Sequence, residues 1–192
     1  MAMPGSVLST RPVPSSFIGA RALASFEKVD YEEGPIAIAD VTQGLQAQRW
    51  RMRLIEGEFW LDAPAVPEFI AYTALGSSEV SFTFDQQGRL VIAYVQSGQP
   101  KLYWFDSSAP GFVVTDLPID AVTPKVILDD KRFTQVQISD VILQYVRNGR
   151  LKMRMQRDRF LIEYDLSSGP WTAIAKMGFN RGLRLQTLCR YF

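Results

Sequence analysis

VILQYVRNGRLKMRMQRDRFLIEYDL, residues 141–166, carries the signals that decide the fold. VILQYV is a short apolar run rich in β-branched residues, and Arg147-Asn-Gly-Arg150 follows it. Asn-Gly favours a type I′ turn, in which both central residues take positive φ, so the chain is expected to reverse there into a second strand. LKMRM at 151–155 then alternates, with Leu151, Met153 and Met155 on one face and Lys152 and Arg154 on the other. RFLIEYDL at 159–166 puts Phe160, Ile162 and Tyr164 on one face and Leu161, Glu163 and Asp165 on the other. With Arg157-Asp158 as a two-residue turn, Met155 faces Phe160, Met153 faces Ile162, Lys152 faces Glu163 and Arg150 faces Asp165. Every pair is chemically matched, and opposite charges across a ladder contribute roughly 0.2–1 kcal/mol each. The basic string therefore reads first as the polar face of a hairpin. Arg147, Arg154, Arg157 and Arg159 are left over, and they are expected to meet carboxylates of this chain or of a neighbouring subunit.

The same grammar extends upstream. VSFTF at 80–84, RLVIAYV at 89–95 and KLYWF at 101–105 are strands separated by Asp85-Gln-Gln-Gly88 and Gln96-Ser-Gly-Gln-Pro100, and FVVT at 112–115 follows another turn. VIAYV at 91–95 resembles VILQYV at 141–146. The stretches 80–115 and 132–166 thus read as two copies of one four-stranded unit, the size of a propeller blade. RWRMRLI at 49–55 alternates arginines with apolar residues as a half-buried strand, and Gly57 allows it to return through Glu58-Phe-Trp-Leu. Glu68 to Ala74, after Pro67, is the best candidate for a helical turn. The expected fold is all-β: antiparallel meanders forming a β-sandwich or propeller-blade-like sheets. Two blades alone cannot close a ring, which leaves open a set of blades that closes only in an oligomer.

The first 16 residues contain Pro4, Pro12 and Pro14, and read as an extended arm ahead of a single β-rich domain at 17–192. Such an arm is either a free tail or a segment that orders on a neighbour. LRLQTLCRYF at 183–192 reads as a last strand, in its own sheet or added to a neighbour's.

Composition narrows the chemistry. The 192 residues are 47% apolar and 12% aromatic but only 21% charged, which supports a real core and a surface partly covered by neighbours. Residues 1–146 hold 11 basic and 17 acidic side chains, net −6; residues 147–192 hold 10 and 3, net +7. That asymmetry fits head-to-tail self-association or pairing of the two regions within one chain. The chain has no histidine, which excludes histidine-based triads, dyads, zinc sites and pH switches. Its single cysteine, Cys189, can form no intrachain disulfide and reads as a small core residue. No run of 18 apolar residues marks a membrane helix, and the first residues lack the basic start and apolar block of a signal peptide, so synthesis and folding in a cytosol are expected.

No catalytic constellation emerges. The carboxylate pairs Glu32-Glu33 and Asp129-Asp130 are sequence neighbours, which in a strand point to opposite faces. No Walker or dinucleotide glycine motif occurs, and no cofactor is implied. KLYWF offers stacking aromatics with one basic residue, so direct nucleic-acid recognition is not expected. Tyr94, Tyr103 and Trp104, if exposed, would suit a carbohydrate site instead.

GPIAIADVTQGLQAQRWRM at 34–52, DQQGRLVIAYVQSGQPKLYWFD at 85–106, DDKR at 129–132, SDVILQYVRNGRL at 139–151, QRDRFLIEYDL at 156–166 and MGFNRGLRLQ at 177–186 together resemble a family of tailed-bacteriophage virion proteins. The resemblance covers roughly 34–186. It implies a non-enzymatic structural subunit, present in several copies in the tail or head–tail junction, with homo-oligomeric contacts and tail, fibre or portal/adaptor proteins as partners. The expected location is the virion, after synthesis in the host cytoplasm. It implies no active site, metal or cofactor. Gln156, Arg157, Asp158 and Arg159, with Asn180, Arg181 and Gly182, would matter to fold or assembly. Together with the leftover Arg147 and Arg154, these supply the candidate interface residues. The alternative is a fibre-attachment or host-surface module that binds glycans.

Overall fold

The computed structural model describes residues 6–7, 36–43, 46–129, 140–179 and 185–191. A two-residue strand, β1 (Ser6–Val7), precedes three antiparallel four-stranded meanders. Sheet I comprises β2 (Ile36–Gln43), β3 (Gln46–Ile55), β4 (Glu58–Ala63) and β5 (Val66–Thr73). Sheet II comprises β6 (Ser77–Phe84), β7 (Leu90–Gln96), β8 (Gln99–Asp106) and β9 (Gly111–Asp116). Sheet III comprises β10 (Val122–Asp129), β11 (Asp140–Arg147), β12 (Arg150–Met155) and β13 (Tyr164–Ser168). Sheet IV joins β14 (Trp171–Phe179) to β15 (Leu185–Tyr191), with β1 on the far side of β15.

One local device recurs. Glu56-Gly57, Ser97-Gly98 and Asn148-Gly149 each link the second and third strands of a meander, and all six residues have positive φ. That is the type I′ hairpin anticipated at Asn148-Gly149, whose twist matches that of the flanking strands. At Gly57 a side chain is excluded twice over: φ is 86°, and a Cβ would lie 2.7 Å from Leu75 Cα. The Gly57 and Gly149 carbonyls accept hydrogen bonds from Ala74 N (2.7 Å) and Trp171 N (3.2 Å), so the chain leaving each fourth strand crosses back over that hairpin.

The four sheets stack face to face in chain order, and the first strands of successive sheets meet, β2 on β6, β6 on β10 and β10 on β14. Sheets I and II enclose Met52, Leu54, Phe59, Leu61, Phe82 and Tyr94. Sheets II and III enclose Val91, Leu102, Trp104, Leu143, Tyr145 and Phe160. Sheets III and IV enclose two smaller clusters, around Ile142 and Leu185 and around Leu151 and Ile174. Between those two, Thr187 donates a hydrogen bond to the Oε1 of fully buried Gln144. The second strands of sheets II and III, β7 and β11, are therefore buried on both faces. Along β7, Ile92 and Tyr94 point to sheet I while Val91 and Ala93 point to sheet III. Along β11, Val141, Leu143 and Tyr145 point to sheet II while Ile142 and Val146 point to sheet IV. This explains why VIAYV and VILQYV look alike: each is the second strand of a meander and has no polar face.

Four expectations need correction. Residues 68–73 lie in strand β5 and form no helical turn; pairing with β4 buries Tyr72 against Phe59, and Pro67 is tolerated because β5 is an edge. The meander containing β11 begins at Val122, not at 132; residues 132–139 lie outside the described ones. RWRMRLI belongs to a third copy of the same unit, sheet I. The 151–166 hairpin is not closed by Arg157-Asp158. Gln156–Asp158 form a 3-10 turn, Arg159 and Phe160 follow with φ of 52° and 55°, and β13 begins at Tyr164. Lys152 therefore faces Asp165 and Met153 faces Tyr164. The anticipated charge pairs persist across the shifted register, Arg150–Asp165 at 3.7 Å and Lys152–Glu163 at 3.5 Å.

The N-terminal arm contributes β1, in which Ser6 faces Leu188 and Val7 faces Thr187. The rest of the arm lies outside the described residues. LRLQTLCRYF supplies β15, a strand of the chain's own sheet IV.

Candidate functional site: the arginine clasp between sheets II and III

The β12–β13 connection is built around one apolar residue. Phe160 is completely buried between sheets II and III, its ring 5.1 Å from that of Trp104 at 80°. Two successive non-glycine residues in the left-handed region, costing about 1–2 kcal/mol each, turn the chain far enough to put it there. Burial of the ring, about 1.5–3 kcal/mol, and the hydrogen bonds around it offset that strain. Phe160 N and Arg159 N donate to Met155 O (2.9 Å) and Gln156 O (2.7 Å). The next two residues, Leu161 and Ile162, are left exposed.

Every leftover arginine has a carboxylate partner in the same chain. Arg147 Nε donates to both oxygens of Asp120 (2.8 and 2.9 Å), and its Nη1 lies 3.4 Å from Glu163. Arg154 Nε donates to the Tyr145 hydroxyl (2.8 Å), its Nη1 to Phe160 O (3.0 Å) and its Nη2 to Glu163 (3.4 Å). Tyr145 in turn donates to Glu163. The backbone N–H of Arg157 donates to Asp140 Oδ1 (3.1 Å), and its guanidinium lies 3.4 Å from Asp140 Oδ2. Arg159 Nη2 donates to Asp106 Oδ2 (2.5 Å), across 53 residues of sequence. Gln156 Nε2 donates to Asp85 Oδ2 at 3.3 Å. Asp158 accepts from the Tyr164 hydroxyl (2.9 Å). Residues 156–159 thus clasp sheet II, through Asp85 and Asp106, to sheet III, through Asp140. Arg147, Arg157 and Arg159 thus pair the basic C-terminal region with the acidic region before it inside one chain, while Arg154 pairs with Glu163 within the basic region itself. Asn180 and Arg181 lie outside the described residues.

The electrostatics follow the geometry. A backbone N–H from Ser108 and the Arg159 guanidinium hold the Asp106 carboxyl below its ordinary range. Arg147 does the same for Asp120. Burial opposes ionisation of Glu163, but Tyr145, Arg147, Lys152 and Arg154 outweigh it and the net shift is downward. Asp140 goes the other way: burial pushes it up to about 6, against the N–H and charge of Arg157. Burial likewise pushes the Cys189 thiol up to about 11.

The aromatics divide differently from what a sugar site needs. Tyr94 and Trp104 are core residues, 1% and 4% exposed. Tyr103 is half-buried in a stack, 4.3 Å from Tyr72 on one side and 4.9 Å from Phe112 on the other. Phe112, at 48% exposure, is the outer ring. The sequence places Phe160 on an apolar strand face opposite Met155, but not against Trp104 and Arg154, which meet it only through the irregular turn. Among the described residues, no three histidine, cysteine, aspartate or glutamate side chains are grouped so as to hold a metal ion, and no helix is long and apolar enough to cross a membrane. No family model, curated protein or solved structure matches the chain.

Proposed function

We propose that the chain is a non-enzymatic structural subunit of a tailed-phage virion, used in several copies in the tail or at the head–tail junction. The observation that carries the mechanical part of this reading is the use made of its charged groups. The arginines most suited to gripping a ligand or a reacting phosphate are each bound to a carboxylate of the same chain, and Arg159 of the 156–159 turn joins sheet III to sheet II through Asp106. The arrangement provides rigidity: a stack of sheets with its cross-links built in. The virion, as the place where such rigidity would be used, comes from the sequence resemblance, as do the host cytoplasm as the site of synthesis and the tail, fibre or portal/adaptor proteins as neighbours. The glycan-binding alternative loses two of its three aromatics, Tyr94 and Trp104, to the core.

The test is the mass of the purified protein, alone and mixed with neighbouring virion proteins. Symmetric homo-oligomers, or incorporation into particles, are expected. A strict monomer that joins no particle overturns the reading.

A further inference from the structure

Each of the three four-stranded meanders ends in an outer strand whose backbone groups on one side have no partner strand among the described residues, and such edges invite pairing with another chain unless they are guarded. Two of the three are guarded. β5 carries Pro67 and Glu68, and its pairing with β4 is broken by two register shifts. β13 is only five residues long, carries Asp165, and pairs with β12 across a register shift. β9, GFVVTD, is the least guarded of the three. It pairs with β8 without a shift, contains no proline or lysine, has its one charge at the last residue, and exposes Phe112 and Val114 at 48% and 45%.

The geometry points to β9 as the surface on which two copies of this chain join, each adding its β9 antiparallel to the other's to make one eight-stranded sheet. This rests on the assembly reading above and names its interface. Leu117 N donates to Pro100 O across the β8–β9 ladder, so alternate residues from there, Thr115, Val113 and Gly111, direct their backbone groups toward β8. Phe112, Val114 and Asp116 then direct theirs outward. Two copies related by a twofold axis normal to the sheet keep the same face up, so paired positions must share parity. The register that pairs Phe112 with the partner copy's Val114, and Val114 with its Phe112, satisfies this. It makes four backbone hydrogen bonds from the outward groups. It places an aromatic against a β-branched residue twice, a favourable cross-strand pair. Asp116 falls opposite Pro110, which keeps the two Asp116 carboxylates apart. The patch is thus complementary to itself, as a twofold contact requires. An interface of one strand per copy is small, so its affinity alone is modest, and further contacts in an assembly would reinforce it.

In this register Val113 lies directly on the axis opposite its own copy, in a non-hydrogen-bonded pair with Cα atoms about 4.5 Å apart, within disulfide range. Oxidation of full-length Val113→Cys should therefore give an interchain-linked dimer, at least tenfold more than Thr115→Cys, which has no cysteine opposite it. Val114→Pro removes an outward N–H without touching the β8 ladder. It should abolish association in sedimentation while leaving the β circular dichroism signal intact, and Val114→Lys should do the same. Multimers that persist in both Val114 variants, with no Val113→Cys cross-link, overturn the β9 interface and leave the assembly reading standing. A wild-type protein that is monomeric at every concentration, cross-links nowhere and joins no particle overturns both.

Discussion

The two wedges on either side of sheet II are closed by different means. Both open outward from a pair of touching first strands, and both must be filled where the sheets diverge. Between sheets II and III the filler is a plug: Phe160, carried across by a strained turn and locked by Arg154, Arg157 and Arg159. Between sheets I and II no plug is found among the described residues. Tyr72, Tyr103 and Phe112 stack from the core out to solvent, each on its own strand, with Arg89 over Phe105 beside them. A plug concentrates stability in a few long-range contacts, whereas a stack spreads it over pairs worth about 0.5–1.5 kcal/mol each. Loss of a residue should therefore be felt most in the plugged wedge.

The largest effect is expected at Phe160. Phe160→Ala removes a fully buried ring and leaves two left-handed residues with nothing to hold them, at a cost of about 3–5 kcal/mol in denaturant-induced unfolding. A cost below about 1 kcal/mol would show that the charged contacts, not the ring, close this wedge.

Asp140 comes next, and pH resolves it. A carboxyl raised from 3.8 to about 6 holds its proton more tightly folded than unfolded. Its contribution is fully present below the unfolded value and is lost as pH rises through about 6, to the extent of about 2–3 kcal/mol. Asp106, Asp120, Glu163 and Asp165, all shifted downward, contribute above their unfolded values and lose that contribution only as the solution becomes more acid. Asp140→Asn should therefore flatten the stability profile between about pH 4 and 6 and leave the acid limb unchanged; an unchanged slope in that window would remove Asp140 from the account.

Arg154→Ala should cost about 1–3 kcal/mol, since it strips a mostly buried donor from Tyr145, Glu163 and Phe160 O together. Arg147 and Lys152 still face Glu163, which limits the loss. Combining it with Phe160→Ala should give less than the sum of the two, because the Arg154 bond to Phe160 O needs the turn that Phe160 anchors. Strict additivity would mean that plug and clasp act independently.

The sequence made one wedge far more legible than the other. Second strands could be read from short-range signals, a run buried on both faces followed by Asn-Gly or Ser-Gly, and so sheets II and III were visible as repeats. Sheet I escaped because it is an end of the stack: its outer face carries the pairs Arg51–Asp62 and Arg53–Glu68, and RWRMRLI alternates instead of running apolar. Arginine–carboxylate pairing could be expected from composition, but not the partners. Arg159 and Asp106 are 53 positions apart and meet only because Phe160 leaves the period-two register. A strained turn that buries one ring has no periodicity to read.

The smallest effect tests whether the stacked wedge depends on more than its rings. The Tyr72 and Tyr94 hydroxyls are 3.0 Å apart, and Tyr94 is almost wholly buried while Tyr72 is only partly so. Burial, followed by the Tyr72 hydrogen bond, raises the Tyr94 hydroxyl's pKa, so it stays protonated and serves as a neutral donor or acceptor. Removing the outer hydroxyl, Tyr72→Phe, takes the hydrogen-bond partner from a buried hydroxyl and should cost about 1 kcal/mol or somewhat more. Removing the inner one, Tyr94→Phe, leaves Tyr72 free to turn to solvent and should be nearly neutral. The asymmetry is the informative quantity, read as a difference in thermal midpoint between two variants that each lose one oxygen. Equal costs would mean that the hydroxyl pair is not what orients the stack. The aromatic faces alone would then close the wedge between sheets I and II.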